Sequence, residues 1–323
     1  MIDQTKLPAE LITIKVKTVQ QLREAIVSLK VRGAPLLGAA GAYGCALAAF
    51  GSTFDDPEML LEELDLAGDS LRSARPTAVN LSWGVRRALS AAKGHNSVHA
   101  IREAVLEEAK RIAEEDVAIN RTIGRLGSRL IESGDRILTH CNAGRLACVD
   151  YGTALGVIRS AVEEGKKVSV YACETRPLFQ GSRLTSWELS EDGIPVTLIC
   201  DSASGLLMRR GMVDKVIVGA DRITRDAVFN KVGTYTHAVL ARAHKIPFYV
   251  AAPISTFDLE HVEREVKIEE RDPDEVRRAG DLTISPPFVR AYNPAFDATP
   301  MELVTAIITE EGIFRPPEMP RVL

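Results

Sequence analysis

Asp135-Arg136-Ile137-Leu138-Thr139-His140-Cys141-Asn142-Ala143-Gly144 passes from a polar start, through an apolar run, into a turn that ends on glycine. Similar runs recur at Lys167–Ala172, Val196–Cys200, Lys215–Gly219 and Phe248–Ala252. Runs this short and this continuously apolar read as strands buried on both faces. The segments between them, such as Leu146–Glu163 and Lys231–Ala243, are long enough to hold crossover helices. Alternation of that kind predicts a doubly wound, Rossmann-like α/β domain with a parallel sheet over residues 129–323. The proline-rich tail beyond Pro286 reads as loops with one helix near Pro300–Glu311.

Upstream the texture is different, and residues 1–128 read as a mostly helical domain with short strands. Leu11–Val16 alternates Ile12, Ile14 and Val16 with polar residues, the pattern of a short amphipathic strand. Thr18 then opens a helix with Gln21 in capping-box position, and Leu22, Ala25, Ile26 and Leu29 form its apolar stripe. Asp56-Pro57 starts another helix, since proline is tolerated in a first turn. The longest helical pattern runs from about Ser97 to Arg121.

Composition narrows the function classes. The chain has 323 residues, enough for roughly two domains at about 150 residues each. Forty basic and 44 acidic residues leave a net charge of -4, so no bulk attraction to nucleic acid or an anionic membrane is expected. No stretch approaches the ~20 uninterrupted apolar residues of a membrane span, and Met1–Glu10 lacks the apolar region of a secretory signal. The five cysteines follow no zinc spacing and suggest no disulfide framework, which points to a reduced, cytoplasmic location. Neither a nucleotide cofactor nor a metal is expected.

Ligands of open parallel sheets sit beyond the carboxyl ends of the strands. There the chain places Cys141-Asn142-Ala143-Gly144, then Cys173-Glu174-Thr175-Arg176, then Asp201-Ser202, then Asp221-Arg222. Cys141 stands out, because it precedes Gly144 and a helix start, where the helix dipole and unpaired N–H groups favour a thiolate. The other four cysteines fall in apolar runs and read as small core residues. Asp221 follows an apolar strand; it is a general acid whose neutral form the apolar walls favour, or else a helix N-cap or a salt-bridge partner of Arg222. Asp201 reads as a cap or a structural hydrogen-bond acceptor. His140 is able to tune Cys141, although a histidine inside a strand is more often a satisfied core residue.

Three cations fall in rigid places. Arg32 precedes Gly33-Ala34-Pro35, a turn that opens a small-residue helix and suits an anion. The spacing there is neither a dinucleotide fingerprint nor a phosphate-binding P-loop. Arg75 opens a second rigid turn, Arg75-Pro76-Thr77-Ala78-Val79-Asn80, and Lys231 follows Asn230 at the start of a helix.

Taken in order, the motifs resemble a known family. VRGAP from Val31, RPTAVNL from Arg75, THCNAG from Thr139, ETRPLFQGSRLT from Glu174, GADRI from Gly219, NKVGTY from Asn230 and PFYVAAPISTFD from Pro247 are similar to those of 5-methylthioribose-1-phosphate isomerases. That family shares its fold with ribose-1,5-bisphosphate isomerases and with regulatory subunits of the translation initiation guanine-nucleotide exchange factor. The resemblance covers essentially the whole chain. It implies Cys141 as the catalytic cysteine and Asp221 as the proton donor. It also implies Arg32, Gly33, Ala34, Arg75, Gln180, Asn230 and Lys231 as substrate-binding residues, and a homodimer. The segment Arg222–Phe229 is about a residue shorter than the family pattern.

A sugar with phosphate on C1 is locked as a glycosyl phosphate. Its opening needs an acid at the ring oxygen, and its isomerisation moves hydrogen from C2 to C1. The alternatives are an isomerase of 5-deoxyribose-1-phosphate or ribose-1,5-bisphosphate, or a non-enzymatic subunit acting in translation. A 5-phosphate asks for additional cations, whereas a methylthio group asks for apolar walls.

Overall fold

The structure, a computed structural model, describes residues 1–320. The chain forms two units, Met1–Ile119 with Leu146–Asp150, and Asn120–Arg145 with Tyr151–Leu323.

The first unit is built on helices α1 (Val19–Val27), α2 (Ala34–Gly51), α3 (Pro57–Ala74), α4 (Val79–Ala92) and the start of α5 (Val98–Ser128). Their starts follow from side chains that satisfy the first free N–H groups. Thr18 Oγ1 accepts from Gln21 N at 3.2 Å, and Asp56 Oδ1 accepts from Glu58 N and Met59 N at 2.9 and 3.1 Å. Glycine sets the α2–α4 approach: a Cβ on Gly84 would overlap the Gly38 carbonyl. By length and composition α2 is apolar enough to cross a membrane, contrary to expectation, yet Leu37 through Ala42 are buried in the core with Leu71, Leu81 and Val85. Leu11–Val16 does not form the expected strand. Its exposure does alternate, and it pairs with the N-terminal residues through a bridge, Thr13 to Ile2, with Asp3 N donating to Ile12 O at 2.9 Å and Ile14 N to Met1 O at 2.8 Å, a contact too short to make a ladder.

The second unit is a mostly parallel α/β sheet. In chain order its elements are β1 (Arg136–Thr139), α6 (Ala154–Glu163), β2 (Ser169–Cys173), α7 (Ser186–Glu191), β3 (Val196–Ile199), α8 (Ser204–Arg209) and β4 (Lys215–Val218). A hairpin follows, β5 (Arg222–Ile223) and β6 (Ala227–Lys231), then α9 (Thr234–Ala243) and β7 (Phe248–Ala251). The tail adds a small hairpin, β8 (Arg278–Ala279) and β9 (Leu282–Thr283), then β10 (Phe296–Pro300), β11 (Ala306–Ile308) and β12 (Ile313–Phe314).

The large sheet has the order β12-β11-β7-β4-β1-β2-β3, with β12 antiparallel at one edge. Val216, Val218, Phe248, Val250 and Ile307 are buried in its core, as strands covered on both faces require. The helix expected near Pro300–Glu311 is instead the end of β10, a 3-10 turn at Met301–Leu303 and strand β11. Ala306-Ile307-Ile308 is too short for a helix and pairs in parallel with β7.

Candidate active site

From β1 the chain winds through β2 and β3 to one edge, then returns to add β4 on the other side of β1. The strand order reverses between β1 and β4, and open α/β sheets take ligands beyond the carboxyl ends at that place. Cys141 lies just past the end of β1, and Asp221 lies just past the end of β4. The two loops touch: a Cβ on Gly219 would come within 2.6 Å of Ala143 Cβ.

Cys141 is half-buried and has φ 64°, a left-handed backbone that a residue with a Cβ adopts only when its surroundings impose it. Two threonines impose it. Cys141 N donates to Thr175 Oγ1 at 2.9 Å, and Thr185 Oγ1 donates to Cys141 O at 2.6 Å. Thr175 is itself left-handed, at φ 67°, and donates its hydroxyl to Cys173 O. Asn142 Nδ2 reaches Thr185 Oγ1 at 3.2 Å and Glu188 Oε1 at 2.9 Å. Glu188 is fully buried; its Oε2 accepts from Arg145 N and from Arg159, each at 2.8 Å. Arg159 also pairs with Asp192 at 2.6 Å, so the buried charges are compensated. A Cβ at Gly144 would overlap the Glu188 carboxylate.

Asp221 leads into the β5–β6 hairpin. Its N–H donates to Phe229 O at 2.9 Å, and the pairing of Arg222 with Phe229 brings Asn230 back beside it. Arg222 ion-pairs with Asp258 at 3.4 Å. Asn230 Nδ2 donates to Thr234 Oγ1 at 3.1 Å. Lys231 is buried, donates from Nζ to Ala295 O at 2.7 Å, and lies 4.8 Å over the Phe296 ring. Opposite Asn230 stands Asp297 on β10, which caps α9 by accepting from Gly233 N at 2.6 Å and Tyr235 N at 3.1 Å. Burial pushes the Asp297 carboxyl up to about 6, against the pull of those two N–H donors and of Lys231.

Gln180 is buried at the entrance to a π-helical turn, Gly181–Thr185, and its Oε1 has no hydrogen-bond partner among the described residues. A buried amide oxygen in that condition suits a ligand that brings its own donor. Asp201 takes the structural role expected of it: its two oxygens accept from Thr175 N and Arg176 N, each at 2.7 Å. The second unit therefore brings Cys141, Gln180, Asp221, Asn230 and Lys231 to the carboxyl end of one sheet.

Arg32, Gly33, Ala34 and Arg75 belong to the first unit. Arg32 Nε donates to Gln4 Oε1 at 2.9 Å, and Gln4 Nε2 donates to Leu146 O at 2.6 Å. Gly33, at φ 106°, caps α2, and a Cβ there would overlap the Ala147 backbone. Ala34 opens α2, whose first N–H groups meet no capping side chain, and Arg75 ends α3.

Sequence reasoning passed over Thr175, Thr185 and Glu188, whose contacts with the Cys141 turn span 34 to 46 residues. A strand-end polar run, ETRP followed by SRLT, was the signal available. It also passed over His237. That imidazole lies buried against His140, with Nε2 3.2 Å from His140 Nδ1 and 3.7 Å from Cys173 Sγ. These three ligand atoms, all within 4.8 Å of one another, form the one group of at least three potential metal ligands among the described residues. Burial holds His140 down at about 4 and His237 at about 3, and it pushes the Cys173 thiol up.

Comparison with known proteins bears on the whole chain. A model of the initiation factor 2 subunit family matches residues 30–316. A methylthioribose-1-phosphate isomerase from Syntrophotalea carbinolica is 53% identical over 319 residues, 98% of this chain and 93% of that protein. The crystal structure of 5-methylthioribose 1-phosphate isomerase from Pyrococcus horikoshii OT3 is 43% identical, with a TM-score of 0.90, over 98% of this chain and 90% of that one. A crystal structure of translation initiation factor eIF-2B, subunit delta, from A. fulgidus is 60% identical, with a TM-score of 0.88, over 98% of this chain and 93% of that one.

Proposed function

We propose a sugar-phosphate isomerase, from the premise that this chain belongs to the initiation factor 2 subunit family. It is an aldose–ketose isomerase that converts 5-methylthioribose-1-phosphate to 5-methylthioribulose-1-phosphate, a step of methionine salvage. The observation that carries the reading beyond kinship is the placement of Cys141 and Asp221 on the two strands that flank the reversal of strand order.

In the proposed reaction Asp221 protonates the ring oxygen as the bond from C1 to that oxygen breaks. Cys141 then moves hydrogen from C2 to C1 through an enediol-like phosphate, and the C2 hydroxyl gives up its proton as the ketone forms. The last proton balances the one spent on the ring oxygen. Gln180, Asn230 and Lys231 hold the substrate. Arg32, Gly33, Ala34 and Arg75 are assigned to substrate as well, Arg32 beside the uncapped N-terminus of α2, a position that suits phosphate. A cytoplasmic homodimer completes the proposal.

Phosphorus NMR of the purified protein with 5-methylthioribose-1-phosphate and its 5-deoxy and 5-phospho analogues tests it. The anomeric phosphate signal is expected to give way to that of a ketose 1-phosphate, fastest for the methylthio sugar. A faster reaction of an analogue would reassign the substrate. Inertness toward all three, with stable capture of an exchange-factor partner, would favour the function printed for the A. fulgidus structure.

A further inference from the structure

Resting on the isomerase reading, we propose that His140 and His237 are positioning residues. A hydrogen-bond chain through their neutral rings locks the Cys141 turn to the turn that carries Asn230 and Lys231. Partners fix the imidazole protons. His140 Nε2 is 2.9 Å from Val232 O, and a carbonyl only accepts, so Nε2 carries the proton and Nδ1 accepts. His237 Nε2 faces that Nδ1 at 3.2 Å and donates to it, which leaves His237 Nδ1 to accept from Ser204 Oγ at 3.0 Å. Cys173 Sγ, 3.7 Å from His237 Nε2, is a weak second acceptor. Burial disfavours an imidazolium on either ring, so both keep these neutral tautomers.

The two ends of the chain reach the two sets of site residues. At one end Ser204 follows the turn Asp201–Ala203, and Asp201 Oδ1 accepts from Thr175 N at 2.7 Å. Thr175 Oγ1 in turn accepts from Cys141 N at 2.9 Å. At the other end Val232 follows Lys231, and Asp297 holds the next residue by accepting from Gly233 N at 2.6 Å. His140 itself precedes Cys141 and lays its ring on Gly233, where a Cβ would come within 3.1 Å of His140 Cε1 and Nε2.

A core that only fills volume does so with apolar side chains, because a buried polar ring atom is costly unless it is hydrogen-bonded. Here all four ring nitrogens have partners, so the chain holds one geometry. The catalytic cysteine and the substrate-binding lysine share that geometry. A misplacement of about 1 Å between reacting groups costs about 100-fold in rate.

Long-range proton–nitrogen NMR of the unsubstituted protein is expected to show both rings as Nε2–H tautomers. An Nδ1–H tautomer or an imidazolium on either ring would overturn the proposal. Phosphorus NMR kinetics then compare His237→Leu, which removes the donor to His140, with His237→Gln, whose side-chain amide keeps an N–H near the position of Nε2. Folded His237→Leu is expected to lose about 10- to 100-fold in kcat with a smaller change in KM, and His237→Gln to recover most of that loss. Ser204→Ala cuts the far end of the chain more gently; it is expected to lower kcat in the same sense and stands in if His237→Leu misfolds. A normal kcat in the folded variants, or a His237→Gln as impaired as His237→Leu, would overturn the proposal while leaving the isomerase reading intact. An unsubstituted protein without turnover would overturn both.

Discussion

Cys141 occupies a backbone conformation that costs of order 1–3 kcal/mol for a residue with a side chain, and two threonine hydroxyls hold it there. Thr185→Val removes the hydroxyl that donates to the Cys141 carbonyl and accepts from Asn142. It is expected to lower stability by about 1–3 kcal/mol in urea unfolding and to lower kcat more than it changes KM. Thr185→Ser keeps the hydroxyl and is expected to restore both. If Thr185→Val turns over normally, the threonine clamp does not position the cysteine. Cys141 and Asp221 were legible as strand-end residues of unusual type. Thr185 was not, because 44 residues separate it from Cys141 and a lone threonine carries no periodic signal.

Elements make sharper predictions than their composition suggests. Gly84→Ala would drive a Cβ into the Gly38 carbonyl where α2 crosses α4, and a loss of about 3 kcal/mol or more is expected in urea unfolding. Gly51→Ala, at the end of α2 with nothing near its Cβ, is expected to gain about 0.4–1 kcal/mol by restricting the unfolded chain. Asp297, the α9 cap, ties stability to pH. Its folded value of about 6 lies above the ordinary 3.8, so the folded state holds the proton more tightly. Its contribution is fully present below about 3.8 and is lost as pH rises through about 6. Asp297→Asn is expected to remove that dependence, and urea midpoints of both proteins at pH 4.5 and 7 check it. An equal change in the two midpoints would contradict the assignment. Helix starts such as Thr18 and Asp56 were legible because a cap is local. Strand β11 was not, because three residues become a strand only through pairing with β7.

At the scale of the molecule, the alternation of apolar runs and crossovers was enough to foresee the doubly wound sheet. The order β3-β2-β1-β4-β7-β11 was not legible, since strand order is a property of pairing rather than of any one run. That order is what brings Cys141 and Asp221 to adjacent strand ends. The proposed dimer predicts a light-scattering mass near twice 35.2 kDa, and a mass of one chain at working concentration would contradict it. The central claim is that these two residues carry the isomerisation at the strand-order reversal. Phosphorus NMR of 5-methylthioribose-1-phosphate turnover by the unsubstituted protein, Cys141→Ser and Asp221→Asn measures it most directly, with circular dichroism confirming that each variant is folded. Both folded variants are predicted to lose about 100-fold or more in turnover. Near-normal conversion by either one would contradict the account.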